Sequence, residues 1–513
     1  MQTPAHSQNT ASSCLEPARS FPWYFYPSVI TLVLTVILVV WPWFFRWQRV
    51  VLMTDFLLFV LTVLLVYGVA YLRTKAHLRE SWRQVFRRPV ALGASVVLGL
   101  YLLITVFDSI HFRKPLETLA GQTEQHYSNE VLSLVDLVLE PLRRQQEKTY
   151  SAPFASQLFQ KEQTIRSDGS KVRDYPPLKF GGQHLRPGQA VVSDVVLKAL
   201  VGTFIGLGVW GLVVIVVMML GARGNFGKAL VNWRTVWQGR TYLPWRSALL
   251  TSLVLLIFLC ITYYLSFYYH VFGTDKIGQD TLYQSFKSIR TGVLIGTLTT
   301  LVMLPFALVL GVVAGYFRGW VDDLIQYLYT TLNSIPGVLL IAAAVLNMDV
   351  YITNNEALFK LTADRGDIKL LALCAILGIT SWTGLCRLLR GESLKMRELE
   401  FIQAARAFGA SHSSIIRRHI LPNVMHIVMI VVVLDFSGLV LAEAVLSYIG
   451  IGVDSSIHSW GNMINGARLE MAREPMVWWS LIAALVFMFT LVLAANLFAD
   501  AVRDAFDPKL RKG

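Results

Sequence analysis

The sequence predicts an all-α, polytopic membrane protein with about ten transmembrane helices. Three observations carry that expectation. Of the 513 residues, 54% are hydrophobic and only 15% are charged, and the mean hydropathy is +0.52. That composition excludes an ordinary soluble domain. Ten apolar runs approach or exceed the ~20 residues needed to cross a bilayer. The net charge of +13 is better explained by basic loops on the cytoplasmic side than by a nucleic-acid partner.

The first ~20 residues are polar and are expected to be disordered; no small-residue cleavage site follows the first apolar run. The runs then fall at about 27–45, 50–72, 90–107, 196–220, 248–268, 290–315, 332–347, 369–388, 424–447 and 477–500. Ten spans place both termini in the cytoplasm. Residues 73–88 carry Arg73, Lys75, Arg79, Arg83, Arg87 and Arg88 against Glu80 alone. Residues 222–247 carry Arg223, Lys228, Arg234, Arg240 and Arg246 with no acid. Both loops are expected inside. The loop at 347–367, with Asp349, Glu356, Asp364 and Asp367 against Lys360 and Arg365, is expected outside. Arg46 and Arg49 fall in an outside turn and depart from the rule.

Residues 108–195 form a long polar insert of nearly balanced charge, suited to an extracytoplasmic position. Within it, Val131, Leu134, Val135 and Val138 have helical spacing over 128–140, and Pro141 should end or kink that helix.

No catalytic residues are expected. The segment from Gly221 to Leu230 has glycines and Lys228, yet Ala222 stands where a phosphate-binding loop opens with glycine. Ala229 follows the lysine in place of Ser or Thr. His270, His412, His419, His426 and His458 are scattered, mostly in loop or surface positions, and no metal site is expected. Cys14, Cys260, Cys374 and Cys386 form no close motif and imply no disulfide framework. An ATP-driven process would need a separate ATPase chain.

The most informative stretch is polar, basic and set between two apolar runs: EFIQAARAFGASHSSIIRRHILPN, residues 400–423. Glu400 to Phe408 is rich in helix formers. Gly409 suits the left-handed position past a helix end. Ser411 can cap a second short helix carrying Ile415, Ile416 and Ile420, and Pro422 should end or kink it. A compact helical hairpin follows. A plain basic loop would need no apolar faces, and a DNA-binding helix-turn-helix would lack room beside two spans.

This stretch resembles the EAA coupling loop of binding-protein-dependent ABC importer permeases, particularly the dipeptide/oligopeptide family. The matched residues are Glu400, Ala404, Ala405, Gly409, Ile415, His419, Leu421 and Pro422; Gln403 departs, standing where the family's opening glutamate usually is. The resemblance extends from about 272 to the C-terminus. Gly273, Thr274, Asp275, Gly278 and Asp280 resemble the GTDxxGxD motif. Read from its residues alone, that motif is a turn with Asx caps leading into a helix; a gate or docking role is the alternative. The segment from Gly315 resembles the family's GYxGGWVD block. Asp322 and Asp323 there favour a helix start, and Pro336 should break that helix. Glu443 lies in LAEAVLSYIGIG, which is similar to the family's LAEAxLSFLGLG. With Asp435 it puts two carboxylates in one span, loosely on one side, for pathway or structural roles. Ser459 to Ile464 and Asp500 to Leu510 also resemble family signatures.

The resemblance implies a type I ABC importer permease core at 272–513, with the coupling loop at 400–423. Residues 81–107 would hold the first core span, and 108–195 would be an extracytoplasmic insert. Residues 196–271 would add two spans and residues 1–80 two more. An alternative takes 248–268 as the first core span. The implied partners are a second permease subunit, two ATPase subunits that bind ATP and Mg, and an extracytoplasmic solute-binding protein, all around membrane lipid. The implied location is the bacterial inner membrane. Peptides are the implied substrate class, with nickel, opines and antimicrobial peptides left open. A membrane-embedded sensory or interaction protein retaining the permease fold is the runner-up, although no soluble stretch is large enough for a signalling output domain.

Overall fold

The computed structural model describes residues 24–44, 47–116, 126–165, 171–185, 189–222, 226–355 and 362–506. The polar N-terminus, Cys14, Arg46, Arg223, Glu356, Lys360 and the last residues of the tail signature lie outside these ranges.

Helices α1 (Phe25–Phe44) and α2 (Met53–Thr74) form a first hairpin, followed by α3 (Ala76–Arg87) and α4 (Pro89–Asp108). The short helices α5 (Leu134–Val138) and α6 (Glu140–Arg144) belong to the insert. Next come α7 (Val191–Gly221), α8 (Phe226–Trp237) and α9 (Trp245–Leu265). The rest of the chain contains α10 (Thr281–Phe317), α11 (Trp320–Ser334), α12 (Gly337–Asn354), α13 (Thr362–Ser381) and α14 (Thr383–Arg397). It ends with α15 (Glu400–Ala407), α16 (His412–Ile415), a π turn (Ile416–Ile420), α17 (Leu421–Tyr448), α18 (Trp460–Glu470) and α19 (Trp479–Phe506). Among the described residues, nine helical stretches are long and apolar enough to cross a membrane. Helix α1, 20 residues without a charge, precedes them. At 1.5 Å per residue the 37 residues of α10 extend about 55 Å, well beyond a ~30 Å hydrocarbon core. Its ends therefore build polar sites on both faces.

The long helices have two distinct ends. At one end lie the C-terminus of α4, the N-terminus of α10 and the start of α19, all in contact with the insert. Lys287 of α10 reaches Asp108 and Asp136 there, at 2.6 and 3.1 Å. The Trp479 indole donates to the Thr274 carbonyl at 2.9 Å. At the other end, Tyr316 near the close of α10 meets His412 at 2.8 Å, and Arg397 at the close of α14 donates to the Tyr316 carbonyl at 2.9 Å. Helix α3 packs there on the last turns of α19 through Val85, Ala501 and Val502.

The insert is small and tied down. Strands β1 (Gln48–Val50), β2 (His111–Arg113) and β3 (Leu132–Ser133) form an antiparallel sheet, with Arg49 opposite Phe112 and Phe112 opposite Leu132. The turn between α1 and α2 is thus part of the insert, which places Arg49 in a ladder. Strands β4 (Glu162–Ile165) and β5 (Lys171–Asp174) pair separately. The helix expected over 128–140 is shorter than its spacing suggested. Leu132 and Ser133 are claimed by the sheet, and Ser133 then caps α5, accepting from the Asp136 amide while Asp136 accepts from the Ser133 amide. The helical stretch breaks at Leu139, two residues before Pro141, which sits in the first turn of α6, where no N–H is needed from it.

Helix α2 is more than a flanking span. Leu58 is buried among Leu294, Leu298, Leu370 and Leu373 of α10 and α13. Beside it, Asp55 accepts from Arg290 at 2.6 Å and contacts His111 at 2.7 Å. Asp367 accepts from the Thr54 amide at 3.1 Å.

Candidate functional site

The stretch 400–423 folds as a hairpin at the end of the molecule opposite the insert. Helix α15 buries Ile402 and leaves Glu400, Gln403, Ala404 and Phe408 exposed, with Ala405 half-buried. Phe408 is 91% exposed, an unusual position for a large apolar side chain. Gly409 follows at φ +77°, with open space where a Cβ would stand. The Ser411 hydroxyl accepts from the Ser414 amide at 3.3 Å. Ile415 and Ile420 anchor the second arm in a core with Met303, Ala307, Leu385, Leu389 and Val424. His419 stacks at an angle on Phe401, 6.0 Å between centroids, and joins the two arms. The hairpin is therefore fixed from beneath by apolar anchors, while its outer surface is exposed and basic.

Pro422 does not end the second arm. Helix α17 continues from it, giving one helical stretch over His412–Tyr448. The widened turn at Ile416–Ile420, closed by the Leu421 amide on the Ile416 carbonyl, precedes the proline. A π turn of this kind accommodates the missing N–H and the ring that would crowd the previous turn. Leu421 is half-buried and Pro422 exposed. The second arm is thus the head of a span, not a separate short helix.

The GTD block lies at the insert end. Asp280 caps α10, accepting from the Leu282 and Tyr283 amides at 2.8 and 3.2 Å. Asp275 accepts from the Ile277 and Gln279 amides at 3.0 and 2.8 Å; burial holds its carboxyl above the ordinary range. These are the Asx caps expected from the residues. Thr274 is fully buried, accepts from the Ser151 amide at 2.7 Å and donates to the Thr149 carbonyl at 2.9 Å. Gly273 and Gly278 both have positive φ, and the Gly278 carbonyl accepts from the Glu147 amide at 2.9 Å. The block is sealed under the insert.

Sequence reasoning missed the residue that completes this seal. His270 is buried, not at the surface. It contacts Asp280 at 2.7 Å and Glu147 at 3.5 Å. Burial alone would lower its pKa, but the two carboxylates raise it to about 9. Burial would raise Glu147, but His270 and the amides of Phe180, Lys179 and Gly181 bring it down to about 2. Only the proximity of His270 to Asp280 in the chain could have signalled it; Glu147 is far away in sequence.

The two carboxylates of α17 part company. Eight residues turn a helix by about 80° from the starting face. Asp435 is half-buried in the wall of a cavity of about 470 Å³ with Met303, Leu385, Leu434 and Leu439, and has no hydrogen-bond or ion-pair partner among the described residues. Glu443 is 2% exposed and accepts from the Ser447 hydroxyl at 2.7 Å. Ser447 in turn accepts from the Val453 amide at 3.2 Å. Glu443 thus supports the turn after α17, while Asp435 faces open space. Asp322 opens α11 and grips Arg390 of α14 in a two-pronged pair, at 2.5 and 2.8 Å. Pro336 separates α11 from α12.

Residues 307–512 match the family described as the binding-protein-dependent transport system inner membrane component. Similar curated proteins include a dipeptide transport system permease protein, DppC, of Bacillus subtilis, 28% identical over 47% of this chain and 70% of its own length. The oligopeptide permease protein OppC of Haemophilus influenzae is 31% identical over 47% of this chain and 71% of its own. OppC of Mycobacterium tuberculosis is 32% identical over 48% and 78%. The chain belongs to this family of ABC importer permeases. It is a multi-pass protein of the inner membrane and a permease subunit, not itself an enzyme. In this permease the family match begins within α10 and takes in the hairpin, Asp435 and Glu443. No group of His, Cys, Asp or Glu suited to a metal occurs among the described residues.

Proposed function

We propose that this permease carries short peptides inward and couples their passage to ATP hydrolysis through the 400–423 hairpin. The single observation that carries the reading is the hairpin itself: a rigid apolar base, an exposed basic surface and Phe408 standing free at its tip. Such a surface suits insertion into a groove on a separate protein. The peptide substrate rests on the dipeptide and oligopeptide transport of the relatives.

In this reading two ATPase subunits bind ATP and Mg on the cytoplasmic side and grip the hairpins of this chain and of a second permease subunit. A solute-binding protein delivers the peptide at the insert end. Closure of the ATPases moves α15 and the head of α17 together, since His419 on Phe401 and Ile415 in the core hold them as one piece. Asp435 lines the pathway, and both termini lie in the cytoplasm. Residues 81–107 supply the first core span. Residues 108–195 form an extracytoplasmic cover, and the helices of 1–80 and 196–271 flank the 272–513 core.

Single-cysteine labelling tests the orientation. A cysteine replacing exposed Lys148 is expected to react with an impermeant thiol reagent in intact cells. Reaction only after the membrane is opened would overturn it. Purified alone, the chain is expected not to hydrolyse ATP; robust hydrolysis by the ATPase-free chain would refute a separate motor.

A further inference from the structure

We propose that the hairpin end of this permease carries a built site for the phosphate of an anionic phospholipid, formed where α3 meets the segment between α8 and α9. The inference is independent of which solute is transported.

In α3, Arg79, Arg83 and Arg87 recur every fourth residue and form one stripe. The opposite face carries Trp82 and Val85, which pack on Phe498, Val502 and Ala505 of α19. The helix is thus fixed on the core with its arginine stripe turned outward, and all three arginines are exposed. A second basic segment, distant in sequence, comes to the same place. Arg83 and Arg87 lie over the Tyr242 ring, at 5.5 and 4.1 Å from its centroid. Arg246 lies over Trp237 at 5.8 Å. Arg234 and Arg240 are exposed on the same segment. Over the described residues of 75–87 and 226–247 the acid is Glu80 alone, 3.9 Å from Arg83.

Positive-inside bias accounts for the number of these charges but not for their arrangement. Aromatic rings hold three of the guanidinium planes in place. Trp237, Tyr242 and Trp245 are themselves exposed, as aromatic side chains are at the membrane boundary. The adjoining α7 and α9 expose Val213, Val217, Leu250 and Val254, an apolar surface suited to hydrocarbon. A phosphate diester at this depth meets several planar forks at once, the geometry that arginine offers and lysine does not. Basic clusters beside cytoplasmic span ends attract anionic headgroups, each cation adding roughly fivefold in affinity.

The test is native mass spectrometry of the purified full chain with phosphatidylglycerol or phosphatidylcholine of identical acyl chains. The parent is expected to retain phosphatidylglycerol preferentially. Combined Arg83→Gln, Arg87→Gln, Arg240→Gln and Arg246→Gln should lower that affinity at least tenfold and leave phosphatidylcholine retention unchanged. If the combined variant does not fold, salt decides on the parent. The preference should vanish towards ~1 M ionic strength, where the Debye length is about 3 Å; persistence would overturn the site. Equal retention of both lipids by the parent would also overturn it, as would undiminished phosphatidylglycerol binding by the variant. Displacement of the lipid by millimolar inorganic phosphate would assign the site to a free anion and reject the lipid. Loss of co-purifying ATPase with lipid retention intact would reject it in favour of a protein-docking surface.

Discussion

Gly409 and Gly278 adopt nearly the same backbone conformation, φ +77° and +74°, in opposite environments. Gly409 tops the hairpin with nothing within reach of a Cβ, whereas a Cβ on Gly278 would overlap the Glu147 carbonyl and Cα. The first glycine shapes an open surface, the one proposed above to meet an ATPase. The second allows the insert to close over the GTD block. One conformational requirement thus serves an open surface at one end and internal sealing at the other, and only surroundings tell them apart.

The largest effect should come from Gly278→Val. Left-handed strain of about 1–2 kcal/mol adds to a backbone collision that flexible side chains cannot relieve. The insert should fail to seat, and the chain should be largely lost from the membrane in quantitative immunoblots. Near-normal levels would break the contrast with Gly409.

Gly409→Val has the same conformational strain and no collision. Membrane levels should remain near normal. Transport, and substrate-stimulated ATP hydrolysis by the assembled complex, should fall sharply. A variant that assembles and transports like the parent would remove the hairpin from coupling. Ser413→Ala, exposed on the neighbouring turn, serves as the control and should do little.

The insert end should also have a pH signature. His270 is raised to about 9, so its ion pairs contribute fully below its ordinary ~6.5 and fade as pH climbs through 9. Glu147 is lowered to about 2, so its contribution is complete above about 4.5 and is lost as pH falls towards 2. The seal should be tightest between about pH 4.5 and 6.5. Limited proteolysis of the purified chain should cut the insert faster as pH rises from 6 to 9, and His270→Gln should flatten that rise. A flat profile in the parent would show that this triad does not hold the insert.

The smallest effect should be that of Trp479→Phe. It keeps the ring against Phe159, 4.9 Å between centroids, and removes the donor to the buried Thr274 carbonyl. A cost of about 1–3 kcal/mol is expected, visible as a lower unfolding temperature without lost transport.

Much of the architecture was legible in local pattern. The spans followed from apolar length, and the hairpin from Ala-rich residues, Gly409 and Ser411. The Asx caps at Asp275 and Asp280 were equally local. Most of the misread elements share a physical cause: a competing demand from outside the local window. Leu132 and Ser133 fall inside the stretch where Val131, Leu134, Val135 and Val138 have helical spacing, but they are taken by strand pairing with residues about twenty positions away. By sequence Pro422 should end or kink the second arm; the π turn just before it lets the helix pass, a local accommodation that spacing alone does not reveal. His270 and Glu147 lie 123 positions apart, and Asp55 and Arg290 lie 235 apart, and no periodicity links either pair. Asp435 and Glu443 were both visible as carboxylates in a span. Their different surroundings depended on an angular offset that needs the neighbouring helices to acquire meaning.

The long-range pairing of Asp55 has a consequence for how the protein is made. Its cation, Arg290, is 235 residues further along, and the strand that β1 needs as neighbour begins at His111. When the ribosome has delivered the first hairpin, neither is yet present. Asp55 must wait at the membrane boundary through the synthesis of five further helices, α3, α4, α7, α8 and α9, and the insert. The first hairpin therefore reaches its final seat only after α10 has arrived, so that a part made early is among the last to settle. A ribosome-bound chain stopped just short of Arg290 should leave α2 accessible to crosslinkers that the finished protein excludes.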